Sequence, residues 1–107
     1  MAAPDQIAPT EARAATAGSG AALLLDCREP GELGLARIDG AVHVPMGEMP
    51  ARCGELDRGR RIIVFCHHGV RSRRVAGYLA AQGFRATSMT GGIDLWSRTV
   101  DASVPRY

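Results

Sequence analysis

The chain has 107 residues, 46% of them hydrophobic and 22% charged, with a formal net charge of +2. That supports one domain spanning 1–107 with a real core, and the charge is too small to argue for a nucleic-acid partner. No apolar stretch approaches the ~20 residues of a membrane-spanning helix, and all 13 basic residues are arginine, which excludes lysine Schiff-base chemistry.

The segment Met1 to Ala22 lacks a basic region followed by a dense apolar one, so no signal peptide is expected. Three widely spaced cysteines, Cys27, Cys53 and Cys66, argue against a disulfide framework. The expected location is cytoplasmic, where thiols stay reduced, with no membrane partner. Pro9 to Ala14 reads as a helix start with Thr10 as N-cap, closed by Gly18-Ser19-Gly20. Ala21 to Leu25 is a short apolar run that predicts a buried strand, followed by the loop Asp26 to Gly31. Glu32 to Arg37 predicts a helical turn weakened by Gly34. Ala41 to Val44 predicts a second strand, Met49 to Leu56 a short helix, and Asp57-Arg58-Gly59 a turn. Arg61 to Phe65 reads as a central buried strand. Ser72 to Ala81 carries Val75, Ala76, Leu79 and Ala80 at helical spacing, and Gly83 ends that helix. Ala86 to Met89 predicts a further strand, Gly91-Gly92 a turn into a last helix through Trp96, and Val100 to Tyr107 an irregular tail. Strands alternate with helices, which predicts an α/β fold on a mostly parallel sheet.

The loop Cys66-His67-His68-Gly69-Val70-Arg71 stands between the central strand and the helix after it. Ligands bind at that edge of open α/β sheets. Loop N–H groups and a helix N-terminus favour an anion, and the same field favours thiolate over thiol. Cys66 is therefore the candidate nucleophile, against the bland alternative of a buried apolar residue. Arg71 can reach over the anion site or brace the loop; its planar fork suits an oxyanion. Gly69 lets the loop curl tightly. His67 and His68 are poor metal ligands as neighbours, and no second Cys/His pair follows at zinc spacing, so no metal is expected. One of their rings can tune the thiolate or contact substrate, or both can be loop surface; the backbone N–H groups of His67 and His68 matter more, with Val70 in the same loop. Ser72 can cap the helix. Asp26 and Arg28 close another strand and read as an ion pair that ties down the Pro30-Gly31 turn; if that strand neighbours the one before Cys66, both reach the same sheet edge. Cys27 reads as a packed apolar substitute rather than a second redox centre, Cys53 as chemically idle, and Trp96 as core.

Four pieces in order resemble the rhodanese family of sulfurtransferases: Leu24 to Pro30, with Cys27 where valine is usual; Arg37 to Ala41 followed by Val44-Pro45; Val64 to Ser72; and Gly91 to Trp96. The resemblance covers about Ile7 to Tyr107. It departs at Ala36-Arg37, where Gly-His is usual, a difference that bears on local packing. The resemblance implies a rhodanese-like three-layer fold with a five-stranded sheet flanked by helices. It implies that Cys66 carries a sulfane sulfur as a persulfide inside the loop from His67 to Arg71, with Asp26 and Arg28 bracing the site. Donors would be thiosulfate or a protein persulfide; acceptors would be cyanide, a thiol or a sulfur-carrier protein; no cofactor is needed. The tail from Asp101 to Tyr107 resembles the end of rhodanese domains fused to sulfur-carrier-activating enzymes, a hint of cofactor or tRNA sulfuration.

Two other classes compete. Cysteine phosphatases and arsenate reductases use the same loop idea with at least one more residue between cysteine and arginine. Here four intervene, a tighter loop that suits one sulfur atom better than a tetrahedral phosphate, and there is no obvious loop acid to protonate a leaving alkoxide. A non-catalytic partner-binding module of the same fold would commonly lack the cysteine.

Overall fold

The computed structural model describes residues 6–18 and 21–107. Five parallel strands form one sheet in the order β1-β5-β4-β2-β3: β1 (Gln6–Ile7), β2 (Leu23–Asp26), β3 (Val42–His43), β4 (Ile62–Phe65) and β5 (Ala86–Met89). Every residue of β4 is buried. It lies between β2 and β5, so both faces must be covered, and its continuous apolar run is what such a position requires. The helices are α1 (Pro9–Ala15), α2 (Pro30–Leu33), α3 (Met49–Arg52), α4 (Val70–Ala81) and α5 (Gly92–Thr99).

Strand alternation divides the core into two layers. Leu24, Ile63, Phe65 and Met89 pack with Ala12 of α1 and with Ile93 and Trp96 of α5. Leu25, Ile62, Val64, Cys27 and Cys66 pack with Met49 of α3 and with Val75, Ala76 and Leu79 of α4. The expected α/β fold with a five-stranded parallel sheet flanked by helices is the one observed, and Trp96 is core as expected.

Several local expectations shift. Ala8 rather than Thr10 caps α1; Pro9 takes the first helical position, where its fixed φ and missing N–H cost nothing, and the Glu11 carboxylate accepts the Ala8 N–H at 3.2 Å. The expected stop at Gly18-Ser19-Gly20 lies partly outside the described residues, and α1 ends at Ala15. The turn expected over Glu32 to Arg37 is α2, displaced to Pro30–Leu33. The helix expected over Met49 to Leu56 is α3 flanked by 3-10 turns at Met46–Glu48 and Cys53–Glu55. The strand β1 has no counterpart in the sequence reading, because two residues cannot show a period. Arg37, at the family's histidine position, points outward, while Ala36 is buried.

Candidate active site

The carboxyl end of β4 delivers Cys66 to the sheet edge, next to the end of β2. The chain then turns back on itself to start α4. Gly69 makes the turn with φ +99°, the left-handed region, and serves as the helix N-cap. A Cβ at Gly69 would lie 3.1 Å from the Gly91 backbone nitrogen. Gly92, with φ +61°, is tighter still: a Cβ there would collide with the carbonyl oxygens of Cys66 and His67. Those carbonyls accept the N–H groups of Ile93 (2.8 Å) and Asp94 (3.1 Å). The N-terminus of α5 thus grips the loop from behind, and the glycine pair permits the approach.

α4 begins at Val70, two residues ahead of expectation, and Ser72 is not its cap. The acceptor at this helix end is the Cys66 sulfur. It takes the N–H of Gly69 at 3.1 Å and of Ser72 at 3.4 Å, and it lies 3.5 Å from the Ser72 hydroxyl. Ser72 Oγ is 2.7 Å from Ser88 Oγ on β5. With Cys66 ionised, Ser72 O–H donates to the sulfur and Ser88 O–H donates to Ser72, which satisfies two buried hydroxyls in one chain. The Cys27 thiol beside it, then the Ser72 hydroxyl and the Ser72 and Gly69 N–H groups, outweigh burial and hold the Cys66 thiol at about 4, from an ordinary 9.0. The positive end of α4 favours the same charge. The pairing with Cys66, together with burial, pushes the Cys27 thiol far above its ordinary range, so the pair is one thiolate and one thiol.

A second layer of charge fixes the surroundings. Arg28 is fully buried and Asp26 nearly so. The Arg28 fork meets the Asp26 carboxylate through Nε (3.0 Å) and Nη2 (2.7 Å), and its remaining N–H groups reach the carbonyls of Glu32 and Ala36 and the Tyr107 hydroxyl. The expected ion pair is present and satisfied on every side, which is what a buried guanidinium requires. The fork of Arg71 lies on Glu32 of α2, with Nη1–Oε1 2.6 Å and Nη2–Oε2 2.9 Å. The Arg71 bridge holds the Glu32 carboxyl down at about 2, assisted by the Tyr107 hydroxyl at 2.6 Å. Of the two roles open to Arg71, bracing the loop against α2 is the one this geometry serves.

The His67 ring stacks between His68 and Tyr107, with centroids 3.8 Å away on each side. Val70 is exposed. His67, His68 and Asp94 each place a potential ligand atom within 4.8 Å of the others. The Asp94 carboxylate, however, already faces Arg106 at 2.8 Å and Arg98 at 3.8 Å. Two adjacent rings beside a carboxylate shared by two guanidinium groups form a poor cation site.

The fold therefore brings Cys66, Gly69, Ser72, Asp26, Arg28 and Arg71 to one sheet edge. Cys53 is not among the groups on the Cys66 sulfur. Sequence reasoning missed Ser88, Glu32, Tyr107 and the placement of Cys27 beside Cys66. Only Ser88 carries a signal: a polar residue in a buried strand asks for a partner. Among the described residues, no helix is long and apolar enough to cross a membrane.

Known proteins bear on this geometry. A family model for the rhodanese-like domain matches residues 8–99. A sulfurtransferase of Allochromatium vinosum is 36% identical over 77 residues, 71% of this chain and 72% of that protein. A thiosulfate sulfurtransferase of Stutzerimonas stutzeri is 33% identical, over 78% and 77% of the two chains. A crystal structure of a rhodanese-related protein from Thermoplasma volcanium superimposes with a TM-score of 0.79 at 27% identity, covering 90% of this chain and 93% of the other. Relatives with these names support a transferase kind of activity.

Proposed function

The chain belongs to the rhodanese-like domain family, and on that premise we propose that it is a sulfurtransferase that carries a sulfane sulfur as a persulfide on Cys66. The observation that carries this reading is the Cys66 sulfur itself. It accepts the N–H groups of Gly69 and Ser72 at the start of α4, an arrangement that favours thiolate, inside a loop with four residues between Cys66 and Arg71.

The reaction is a double displacement. The Cys66 thiolate attacks the outer sulfur of thiosulfate or of a donor protein's persulfide, and sulfite or the donor thiolate leaves with the electron pair. The persulfide then bears its charge on the added sulfur, beside the positive helix end that stabilised the thiolate. A thiophilic acceptor such as cyanide, a thiol or a sulfur-carrier protein takes the outer sulfur and returns Cys66 to thiolate. Arg71 and Glu32 hold the loop against α2, and Asp26 and Arg28 hold the adjoining strand end, so both pairs position the loop and neither touches the reacting sulfur. The names of the relatives favour thiosulfate as the donor to try first.

Intact-mass measurement after incubation with thiosulfate tests the reading. At the earliest times a gain of one sulfur atom is expected, removable by cyanide, absent in Cys66→Ser and retained in Cys53→Ser. Sulfur transfer by Cys66→Ser would overturn it. Hydrolysis of an aryl phosphate dependent on Cys66 would point to the phosphatase alternative instead.

A further inference from the structure

β2 and β4 pair in register with Asp26 opposite Phe65. The Cys27 N–H donates to the Phe65 carbonyl at 3.1 Å, which carries the pairing one residue beyond β2 and sets Cys27 beside Cys66. Both side chains fall on the same face of the sheet, in the layer with Leu25, Val64 and Val75. Cys27 is 0% exposed and Cys66 1%. Neighbouring strands lie ~4.8 Å apart, inside the window of about 4.4–6.8 Å between Cα atoms that a disulfide spans. Two free cysteines in register on adjacent strands, both buried in the same layer, form a pair that an apolar packing role does not require.

We propose that Cys27 is a resolving cysteine that discharges the Cys66 persulfide from within, releasing its sulfur as sulfide and leaving a Cys27–Cys66 disulfide. This rests on the persulfide reading above. The Cys27 sulfur attacks the inner sulfur of the persulfide. A bond forms between the two cysteine sulfurs, the bond to the outer sulfur breaks, and hydrosulfide leaves with the electron pair and takes up the Cys27 proton. The sulfane sulfur is reduced by two electrons and the two thiols are oxidised to the disulfide, so the step needs no outside oxidant. A dithiol reductant restores both thiols. The loop donors approach Cys66 from α4 and Cys27 approaches from β2, so attacking and leaving sulfurs have separate sides of the same atom. Before loading, burial and the neighbouring Cys66 keep Cys27 a thiol, and it takes no part in chemistry. Loading moves the negative charge one bond outward and loosens that hold. The domain then has two outlets for its sulfur, transfer to an acceptor or release as sulfide when no acceptor arrives.

The test loads reduced protein with thiosulfate, removes small molecules, and follows intact mass and released sulfide in the absence of acceptor. Wild-type protein is expected to lose its added sulfur, settle at the starting mass less two hydrogens, release equimolar sulfide, and return to the starting mass with dithiothreitol. Cys27→Ser, which preserves size, and Cys27→Val, the residue usual in the family, are expected to keep the added sulfur. A wild-type persulfide as long-lived as that of Cys27→Ser would overturn the resolving role while leaving the sulfurtransferase reading intact. If neither wild type nor Cys27→Ser ever gains sulfur, the persulfide reading itself fails and takes the resolving role with it.

Discussion

The Ser72 hydroxyl offers a clean perturbation of the Cys66 thiolate. Ser72→Ala removes one O–H donor at 3.5 Å from the sulfur and leaves the N–H groups of Gly69 and Ser72 in place. A hydrogen bond to a charged group contributes about 1.5–3 kcal/mol, and 1.36 kcal/mol corresponds to about one pKa unit. The contact is long, so the lower end applies, and the Cys66 thiol should rise from about 4 by about one unit. The measurement is the pH dependence of alkylation by iodoacetamide, or of thiolate ultraviolet absorbance, on a Cys53→Ser background. At neutral pH both proteins are almost wholly thiolate and react alike; the difference opens only in the acid limb. Ser88→Ala should shift the curve in the same direction by less, because it removes only the donor to Ser72. A Ser72→Ala protein with native circular dichroism and an unmoved midpoint would refute the assignment of the hydroxyl as a donor to the thiolate.

The same titration appears in stability. The folded Cys66 value of about 4 lies below its unfolded value near 9.0, so the unfolded chain binds one more proton between them. Stability should rise with pH through that window by at most about 1.4 kcal/mol per pH unit from this group, and be lost as pH falls through the folded value. Cys27 shifts the other way, so its contribution falls away above the unfolded value; urea unfolding of wild type against Cys66→Ser across pH isolates the slope, and parallel curves would refute it. Asp26→Ala strips the carboxylate from a fully buried guanidinium and should cost about 3–5 kcal/mol in urea unfolding; a loss under about 1 kcal/mol, the range of exposed pairs, would show that the pair is not buried in solution.

The order of elements was readable because it depends on short-range signals. β4 is a continuous apolar run, α4 has a helical period, and the glycines at 69, 91 and 92 mark turns that need positive φ. Cys66 was readable as the candidate nucleophile because strand, cysteine and helix follow one another directly in the chain. The details that depended on contacts between distant segments were not. Ser72 looks like a cap, but its backbone N–H and hydroxyl both serve the sulfur, with Ser88 16 positions away completing the chain. Arg71 had two readings until α2 placed Glu32 under its fork, 39 positions away in sequence. Tyr107 in an irregular tail gave no sign that it would stack on His67 and join Arg28 to Glu32.

Residue order by itself determined the fold class and the candidate nucleophile, since local period, turn chemistry and a strand-loop-helix junction are properties of neighbours in the chain. Tertiary structure alone decided what surrounds that atom. Strand register set one buried thiol beside another, and a charge or a thiol takes its character from whichever groups the fold brings within hydrogen-bond reach.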